Sequence, residues 1–404
     1  MIPPTIRRFL STLHRYIAFS CGIVFVLLGL TGTALAWMHE LDTALNPGLL
    51  RVPPAAGLQS GDRAAMTPAA IDALLARLVA EPGYGKPNQL WLPEYADAPV
   101  IAWYRRAPPG RPAPFALEVS RQVMVDPATL RVIGERNWGE IGVTRPLLMP
   151  TLFHLHRYLL AGEWGKSAIG VIGLLLAVTA LSGLALWIPK PTLKALRQSL
   201  RISHGGSWPR FNYSFHRSAG FFAAPVLVVL GVTGCYFNLP KWITPVVANI
   251  APVAVADKVV NRSAPGGATI GAGAAVAAVQ LRFPAARVSR VALPASASAP
   301  FEVRVRQPGE VRQGDGATRI FVDARDGEVL RVRDPLRAAR GDTLLNWFYP
   351  LHTGQAFGTA GRSFISIFGT APLLFFITGV ALWWRRRRSR AVVHRPALSP
   401  LINT

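Results

Sequence analysis

Residues 155–187 read LHRYLLAGEWGKSAIGVIGLLLAVTALSGLALW, and residues 351–383 read LHTGQAFGTAGRSFISIFGTAPLLFFITGVALW. The two stretches align without a gap at an offset of 196 residues. His156 then falls on His352, several glycines coincide, and both stretches end in the letters ALW. An internal repeat of this length predicts two copies of one structural unit.

The repeat extends to the earlier part of each copy. LHRYIAF at residues 13–19 aligns with FHRSAGF at residues 215–221, at an offset of 202 residues. This alignment places His14 on His216. Each copy is therefore expected to begin and end with a helix and to carry a separate domain between the two helices.

The composition and four apolar stretches indicate a membrane protein. Half of the 404 residues are hydrophobic and only 16% are charged, against about a quarter in soluble domains. Helices of about 20 residues cross a hydrocarbon core about 30 Å thick. The predicted spans are Tyr16–Met38, Ser167–Ile188, Ser218–Pro240 and Ser363–Trp384. The apolar run of the first is longer than the roughly 7–15 residues of a signal peptide, so it is expected to be retained.

The distribution of charge predicts the orientation. The formal net charge is +23, and 15 of these charges lie in three short segments that contain no acidic residue: 1–15, 189–217 and the tail after Trp384. Short basic segments stay in the cytoplasm, so both termini and the middle loop are expected inside. Anionic lipid headgroups suffice as partners for these charges, and nucleic acid is not expected as a partner.

Between the spans, helical and alternating patterns predict a small α+β module in each copy. Helices are expected at 67–82 and 268–284, strands at PVIAWYRR, FALEVSR and FEVRVRQ, and closing hairpins whose turns begin at Asp126 and Asp323. The predicted order is an N-terminal segment and first helix (1–38), first module (39–155), outer histidine segment and second helix (156–189), basic cytoplasmic loop (190–217), third helix (218–240), second module (241–350), outer histidine segment and fourth helix (351–384), and basic cytoplasmic tail (385–404).

Four histidines flank the spans in matched positions: His14 and His216 on the cytoplasmic side, and His156 and His352 on the outer side. Imidazoles from two helices hold a b-type haem without covalent attachment, and the sequence contains no CxxCH motif. One haem cannot bridge a core about 30 Å thick, so the two pairs predict two haems b.

Other residues leave alternatives open. His154 and His156 are two residues apart and point about 200° away from each other on a helix, so His156 is preferred and His154 and His39 are reserve ligands for the outer haem. Arg15 and Arg217 are expected either to pair with haem propionates or to anchor the helices by the positive-inside rule. The matched glycines favour close helix packing over room for a flat macrocycle: Gly29, Gly32, Gly231 and Gly234.

The LHRxxA opening of the first helix, the pairs Thr31–Gly32 and Thr233–Gly234, and the SGLALW and TGVALW endings form a pattern. It resembles the PepSY-associated transmembrane family, which includes iron-regulated membrane proteins and the ferric-siderophore reductases of Gram-negative bacteria. The resemblance implies PepSY-like periplasmic modules on an inner-membrane protein. It also implies two haems b, which carries onto His14, His216, His156 and His352.

The expected activity is therefore one-electron transfer from a cytoplasmic flavin or flavoprotein, through the haems, to a ferric siderophore or other periplasmic Fe(III) complex, aiding iron uptake. Two alternatives remain: a membrane-anchored PepSY module that regulates an extracytoplasmic protease, and a haem subunit that relays electrons to a protein acceptor. No charged residue lies in the spans, which disfavours a transporter.

Overall fold

The computed structural model describes residues 2–393 except 106–112, 114, 256 and 263–267. The chain forms two compact units, each assembled from three or two separate segments. Unit 1 comprises residues 1–33, 171–232 and 366–404, and unit 2 comprises residues 34–170 and 233–365. The segments of the two units alternate along the chain, so each unit contains residues from both copies of the repeat.

The helices of the described residues account for most of the chain. In order they are α1 Pro4–Leu35, α2 Met38–Leu45, α3 Pro47–Leu50, α4 Pro68–Ala80, α5 Arg145–Tyr158, α6 Gly162–Trp187, α7 Leu193–Leu200, α8 Trp208–Asn238, α9 Pro240–Ala248, α10 Ala272–Arg282, α11 Arg340–Thr353, α12 Gly358–Gly369 and α13 Ala371–Val393. A 3₁₀ turn, Gln355–Phe357, precedes α12.

Four helical segments of the described residues are long and apolar enough to cross a membrane: Pro4–Leu35, Gly162–Trp187, Trp208–Asn238 and Gln355–Arg388. The protein is thus a multi-pass membrane protein, as the sequence predicted. The helices extend beyond the predicted spans, since α1 begins at Pro4 rather than Tyr16 and α8 at Trp208 rather than Ser218. Hydropathy detects only the part of a helix that lies in hydrocarbon, whereas a helix can continue into the headgroup layer with charged side chains.

The fourth span differs from the single helix that was predicted. It is interrupted at Thr370, which separates α12 from α13. Gly369 ends the first helix and Pro372 lies in the first turn of the second, where the missing proline N–H costs no hydrogen bond. The interruption lies where the backbone of α1 approaches, because a Cβ on Gly29 would lie 2.2 Å from the carbonyl oxygen of Gly369.

Close helix packing explains a second matched glycine as well. A Cβ on Gly231 in α8 would lie 2.5 Å from the carbonyl oxygen of Gly173 in α6. Small residues allow such backbone approach between helices in a membrane. For Gly29 and Gly231, packing is therefore the correct interpretation.

Unit 2 contains eight antiparallel strands: β1 Gln89–Trp91, β2 Val100–Arg105, β3 Ser120–Val125, β4 Val132–Trp138, β5 Arg287–Ala292, β6 Phe301–Arg306, β7 Thr318–Val322 and β8 Val329–Arg333. Each copy contributes one helix and four strands, which confirms two α+β modules. The modules share a single sheet of order β4-β3-β2-β1-β5-β6-β7-β8. The junction pairs Leu90 with Val291, and both side chains are fully buried.

Helices α4 and α10 pack on one face of the sheet and against each other. The backbone N–H of Gly273 donates to Asp72 at 2.8 Å, and a Cβ on Gly273 would lie 2.2 Å from the carbonyl oxygen of Pro68. Both predicted hairpins form, with Asp126 accepting from the backbone N–H of Ala128. The predicted strand FALEVSR is wrong in its first part, because β3 begins only at Ser120.

Candidate functional site

The first histidine pair, the span pair (His14 and His216), lies within two candidate spans of unit 1. His14 belongs to α1, and its Nδ1 lies 2.9 Å from the carbonyl oxygen of Thr179 and 3.2 Å from the hydroxyl of Ser182 in α6. A carbonyl oxygen only accepts, so Nδ1 must donate its hydrogen. The lone pair of His14 is therefore on Nε2, the nitrogen that remains for a metal.

His216 in α8 is oriented in a similar way by α13. Its Nδ1 lies 2.7 Å from the hydroxyl oxygen of Thr378. That hydroxyl donates to the carbonyl oxygen of Leu374 at 2.7 Å, so it accepts from His216. Phe375 contacts the imidazole edge to face, with ring centres 5.4 Å apart.

A glycine lies beside each of these rings. A Cβ on Gly183 would lie 3.1 Å from Cε1 of His14, and a Cβ on Gly379 would lie 3.8 Å from Cε1 of His216. Ser182–Gly183 and Thr378–Gly379 occupy matched positions in the two copies of the repeat. In both copies, a hydroxyl residue followed by glycine therefore lies against one side of an imidazole, and the contact is tight enough to favour glycine at Gly183.

The second histidine pair, the flanking pair (His156 and His352), lies in unit 2. The two residues occupy the last turns of α5 and α11, and their ring centres are 6.4 Å apart with planes at 67°. Thr233 in α8 places its hydroxyl oxygen 2.7 Å from Nδ1 of His352. Gly234 follows, and a Cβ there would lie 3.7 Å from Cε1 of His352. Hydroxyl and glycine thus recur as neighbours at a third ring.

The protonation state of His352 suits a metal ligand. Burial lowers its pKa to about 3, and the electrostatic interaction with His156 adds to that effect. His352 is consequently neutral at physiological pH. A neutral imidazole is the form that coordinates a metal ion.

The distance between the ring centres of the flanking pair is long enough to admit one metal ion between the two rings. A bond from a metal to an imidazole nitrogen is about 2 Å long, so rings bound on opposite sides have centres about 6 Å apart. Among the described residues, no three or more His, Cys, Asp or Glu side chains converge as a metal-binding cluster. Two imidazoles per site match a haem, because the macrocycle supplies the other iron ligands.

The chain matches the family of the PepSY-associated TM region over residues 11–386. The protein belongs to this family. No curated protein matches the chain. Membership accounts for the four spans and the duplicated modules, and it does not by itself assign an activity to this member of the PepSY-associated TM family.

The two reserve ligands of this PepSY-associated TM protein, His154 and His39, have other surroundings in the structure. His154 is buried, and its Nδ1 donates to the carbonyl oxygen of Pro150 at 2.8 Å. Its ring stacks on Tyr158 and meets Trp138 edge to face. His39 is exposed in α2. His156 is the residue that faces His352.

The two arginines that follow the span pair have other contacts in the structure. Arg15 is exposed and lies over the ring of Tyr16, with its Cζ 5.5 Å from the ring centre. Arg217 donates to the carbonyl oxygen of Gln198 at 2.5 Å, and its buried Nε has no hydrogen-bond partner within the part of the chain that the structure describes. The pairing of Arg15 and Arg217 with haem propionates stays a prediction.

Proposed function

We propose that this protein binds two haems b and carries electrons one at a time from a cytoplasmic flavin or flavoprotein across the inner membrane to a periplasmic Fe(III) complex, such as a ferric siderophore. The observation that carries the proposal is the presence of two of the four matched histidines in each unit, with a hydroxyl or carbonyl oxygen at Nδ1 of three of the four rings. A histidine ligand commonly donates its second ring N–H to such a group.

The residues of each pair have defined tasks in this proposal. Haem iron between two imidazoles changes its charge by one electron without losing its ligands, which is the chemistry the cofactor supplies. His14 and His216 would hold one haem, and His156 and His352 the other. The oxygen atoms of Ser182, Thr378 and Thr233 would keep the rings oriented.

The orientation follows from the basic segments. The loop between α6 and α8 and the chain after Trp384 carry basic residues and no acidic residue. By the positive-inside rule, both termini lie in the cytoplasm and the two modules in the periplasm. The flanking pair would then be on the periplasmic side, where the acceptor is. Reduction weakens the hold of a siderophore because hard oxygen ligands suit Fe(III) better than Fe(II).

The visible spectrum of the detergent-purified protein, before and after dithionite, tests the proposal. We expect a low-spin, six-coordinate haem b spectrum, with two haems per chain by pyridine haemochrome assay. A protein that stays colourless after haem reconstitution would contradict the proposal and favour a PepSY module that regulates a protease. Haem that is present but does not reduce Fe(III) complexes would favour a protein acceptor.

The support of His216 by Thr378 leads to a separate prediction. Thr378→Val removes the oxygen that accepts from Nδ1, so the imidazole becomes a weaker donor and the midpoint potential of that haem should rise. Loss of such an outer-shell partner typically weakens metal binding by about 10–100-fold. Potentiometric titration with parallel haem analysis measures both effects.

Two control variants accompany Thr378→Val. Thr378→Ser keeps the hydroxyl and should restore the potential. Thr370→Val removes a hydroxyl that donates to the carbonyl oxygen of Ile367, with no contact to a histidine among the described residues, and should leave the potential unchanged. Equal potentials in Thr378→Val and the parent protein would contradict the positioning role of Thr378.

A further inference from the structure

Four arginines lie directly opposite one another on four adjacent strands of the sheet. Arg290 pairs with Arg304, Arg304 with Arg319, and Arg319 with Arg333. We call these four residues the arginine row. Each has a strand neighbour that packs in the core beneath α4 and α10: Val291, Val303, Ile320 and Val332. Since side chains alternate along a strand, the arginine row lies on the opposite face of the sheet.

The carboxylates near the arginine row do not neutralise it. Asp315 accepts from Arg290 at 2.8 Å and from Arg304 at 2.7 Å, and also from Arg312 at 3.1 Å. Glu302 lies 3.7 Å from Arg319. Within the described residues, the row and Arg312 thus contribute five guanidinium groups against two carboxylates. Like charges directly opposite each other destabilise a sheet, so this arrangement has an energetic cost.

Burial increases that cost at Arg290 and Arg304, whereas Arg319 is more exposed. The side chain of Arg304 retains 12% of its surface and that of Arg290 22%, whereas Arg319 retains 40%. Among the described residues, the Nε of Arg304 is buried without a hydrogen-bond partner. Burial lowers the pKa of Arg290 to about 10; Asp315 opposes this shift and Arg304 adds to it. An anion at the row would relieve the repulsion between the guanidinium groups.

The first copy shows that the fold itself does not require these charges. At the matching register its row reads Gln89, Trp103, Gln122 and Arg136. The single arginine of that row is neutralised, because Asp42 accepts from Arg136 at 2.8 and 3.0 Å. The positive charge is therefore a property of the second copy alone.

Aromatic rings connect the charged row to the flanking pair. The Cζ of Arg312 lies 4.1 Å from the ring centre of Tyr349, three residues before His352 in α11. Tyr349 lies 6.2 Å from Phe237, and Phe237 lies 5.3 Å from His352, measured between ring centres. The charges thus lie within the same unit as the flanking pair and two ring contacts away from it.

We infer that the arginine row, together with Arg312, binds the oxyanion groups of an anionic Fe(III) complex, and that cationic complexes are poor ligands. The inference rests on the proposed function for the identity of the ligand. Guanidinium groups bind carboxylate and similar paired oxygens through two parallel, charge-assisted hydrogen bonds. A haem propionate presents the same chemistry, and the experiment separates the two sources.

The test uses a Ga(III) tris-catecholate as probe, because Ga(III) carries the charge of Fe(III) and is not reduced. Its binding to the full chain in detergent is followed by tryptophan fluorescence, since Arg290 lies 3.8 Å from the ring centre of Trp91. Arg319→Gln should weaken binding about tenfold or more, as expected for loss of a hydrogen bond to a charged group. Arg319→Lys should weaken it less, and rising salt should reduce the difference.

Arg77→Gln in α4 is the matched control. It removes the same charge from a side chain that is 57% exposed, on the helix-covered face, and should leave binding unchanged. Equal binding of a Ga(III) tris-hydroxamate made cationic by a free ammonium group, or unchanged tris-catecholate binding in Arg319→Gln, would overturn the inference. A change in haem content or potential in Arg319→Gln, with probe binding unchanged, would assign the row to propionates instead. Because the probe needs no electron, these outcomes do not depend on whether the protein reduces iron.

Discussion

His352→Ala is expected to lower the haem content of the purified protein from two haems per chain to one. A haem b has no covalent link to the protein, so the site depends on its two imidazoles. The ring of His352 lies 6.4 Å from that of His156, and alanine leaves nothing at that position to reach a metal ion. The haem remaining should keep the spectrum of a six-coordinate site. Pyridine haemochrome assay and reduced-minus-oxidised spectra measure the loss.

Three further variants make this prediction specific. His216→Ala should remove the other haem and spare the site of the flanking pair. His204→Ala changes a histidine in the loop between α7 and α8 and should remove neither. His154→Ala should destabilise the protein while retaining both haems, because His154 packs against Tyr158 and Trp138. Two haems per chain in His352→Ala would contradict the assignment of the flanking pair.

The four spans and both histidine pairs could be predicted from the sequence, because apolar runs and a repeat at a fixed offset are visible in the sequence itself. A long apolar run needs a membrane wherever it occurs, and a duplication preserves spacing, so His156 and His352 are recognisable without any contact information. The ring contact between these two residues then appears in the structure.

The single eight-stranded sheet was not accessible in the same way. β1 and β5 are joined across almost two hundred residues, and nothing local to Leu90 or Val291 specifies that partner. Each module reads as a complete α+β unit with a free sheet edge. An exposed edge has unpaired backbone groups, and pairing the two modules edge to edge satisfies them. The arginine row depends on the register between strands, so it could not be predicted from the sequence either.

The groups that orient the histidines could be predicted from the sequence only in part. Ser182–Gly183, Thr378–Gly379 and Thr233–Gly234 were visible as repeated letter pairs. Their role was missed because helix packing explains a small residue in a span equally well. The structure separates the two roles, since Gly29 and Gly231 meet backbone whereas Gly183, Gly234 and Gly379 face an imidazole.

Asp42→Asn is expected to destabilise unit 2 by about 3–5 kcal/mol, the cost of leaving a buried charge without its partner. Arg136 retains 4% of its side-chain surface and Asp42 retains 7%. The guanidinium also donates to Gln122 at 2.6 Å, and Asn46 donates to Asp42 at 2.9 Å. Urea unfolding of the full chain in detergent measures the change through Trp138, which lies 5.6 Å from the Cζ of Arg136.

The same substitution should disturb the flanking pair. Arg136 and Asn46 donate to the carbonyl oxygens of Pro146 and Arg145, which begin α5, the helix whose last turn contains His156. Loss of the ion pair should therefore weaken haem retention at that pair and spare the span pair. Asp42→Leu combined with Arg136→Met removes both charges and should recover most of the stability, because a buried ion pair is replaceable by apolar side chains of similar volume. Glu163→Gln breaks an exposed ion pair with Lys166 and should cost less than about 1 kcal/mol. If Asp42→Asn costs no more than this surface control, the buried pair is not what holds α5 against the sheet.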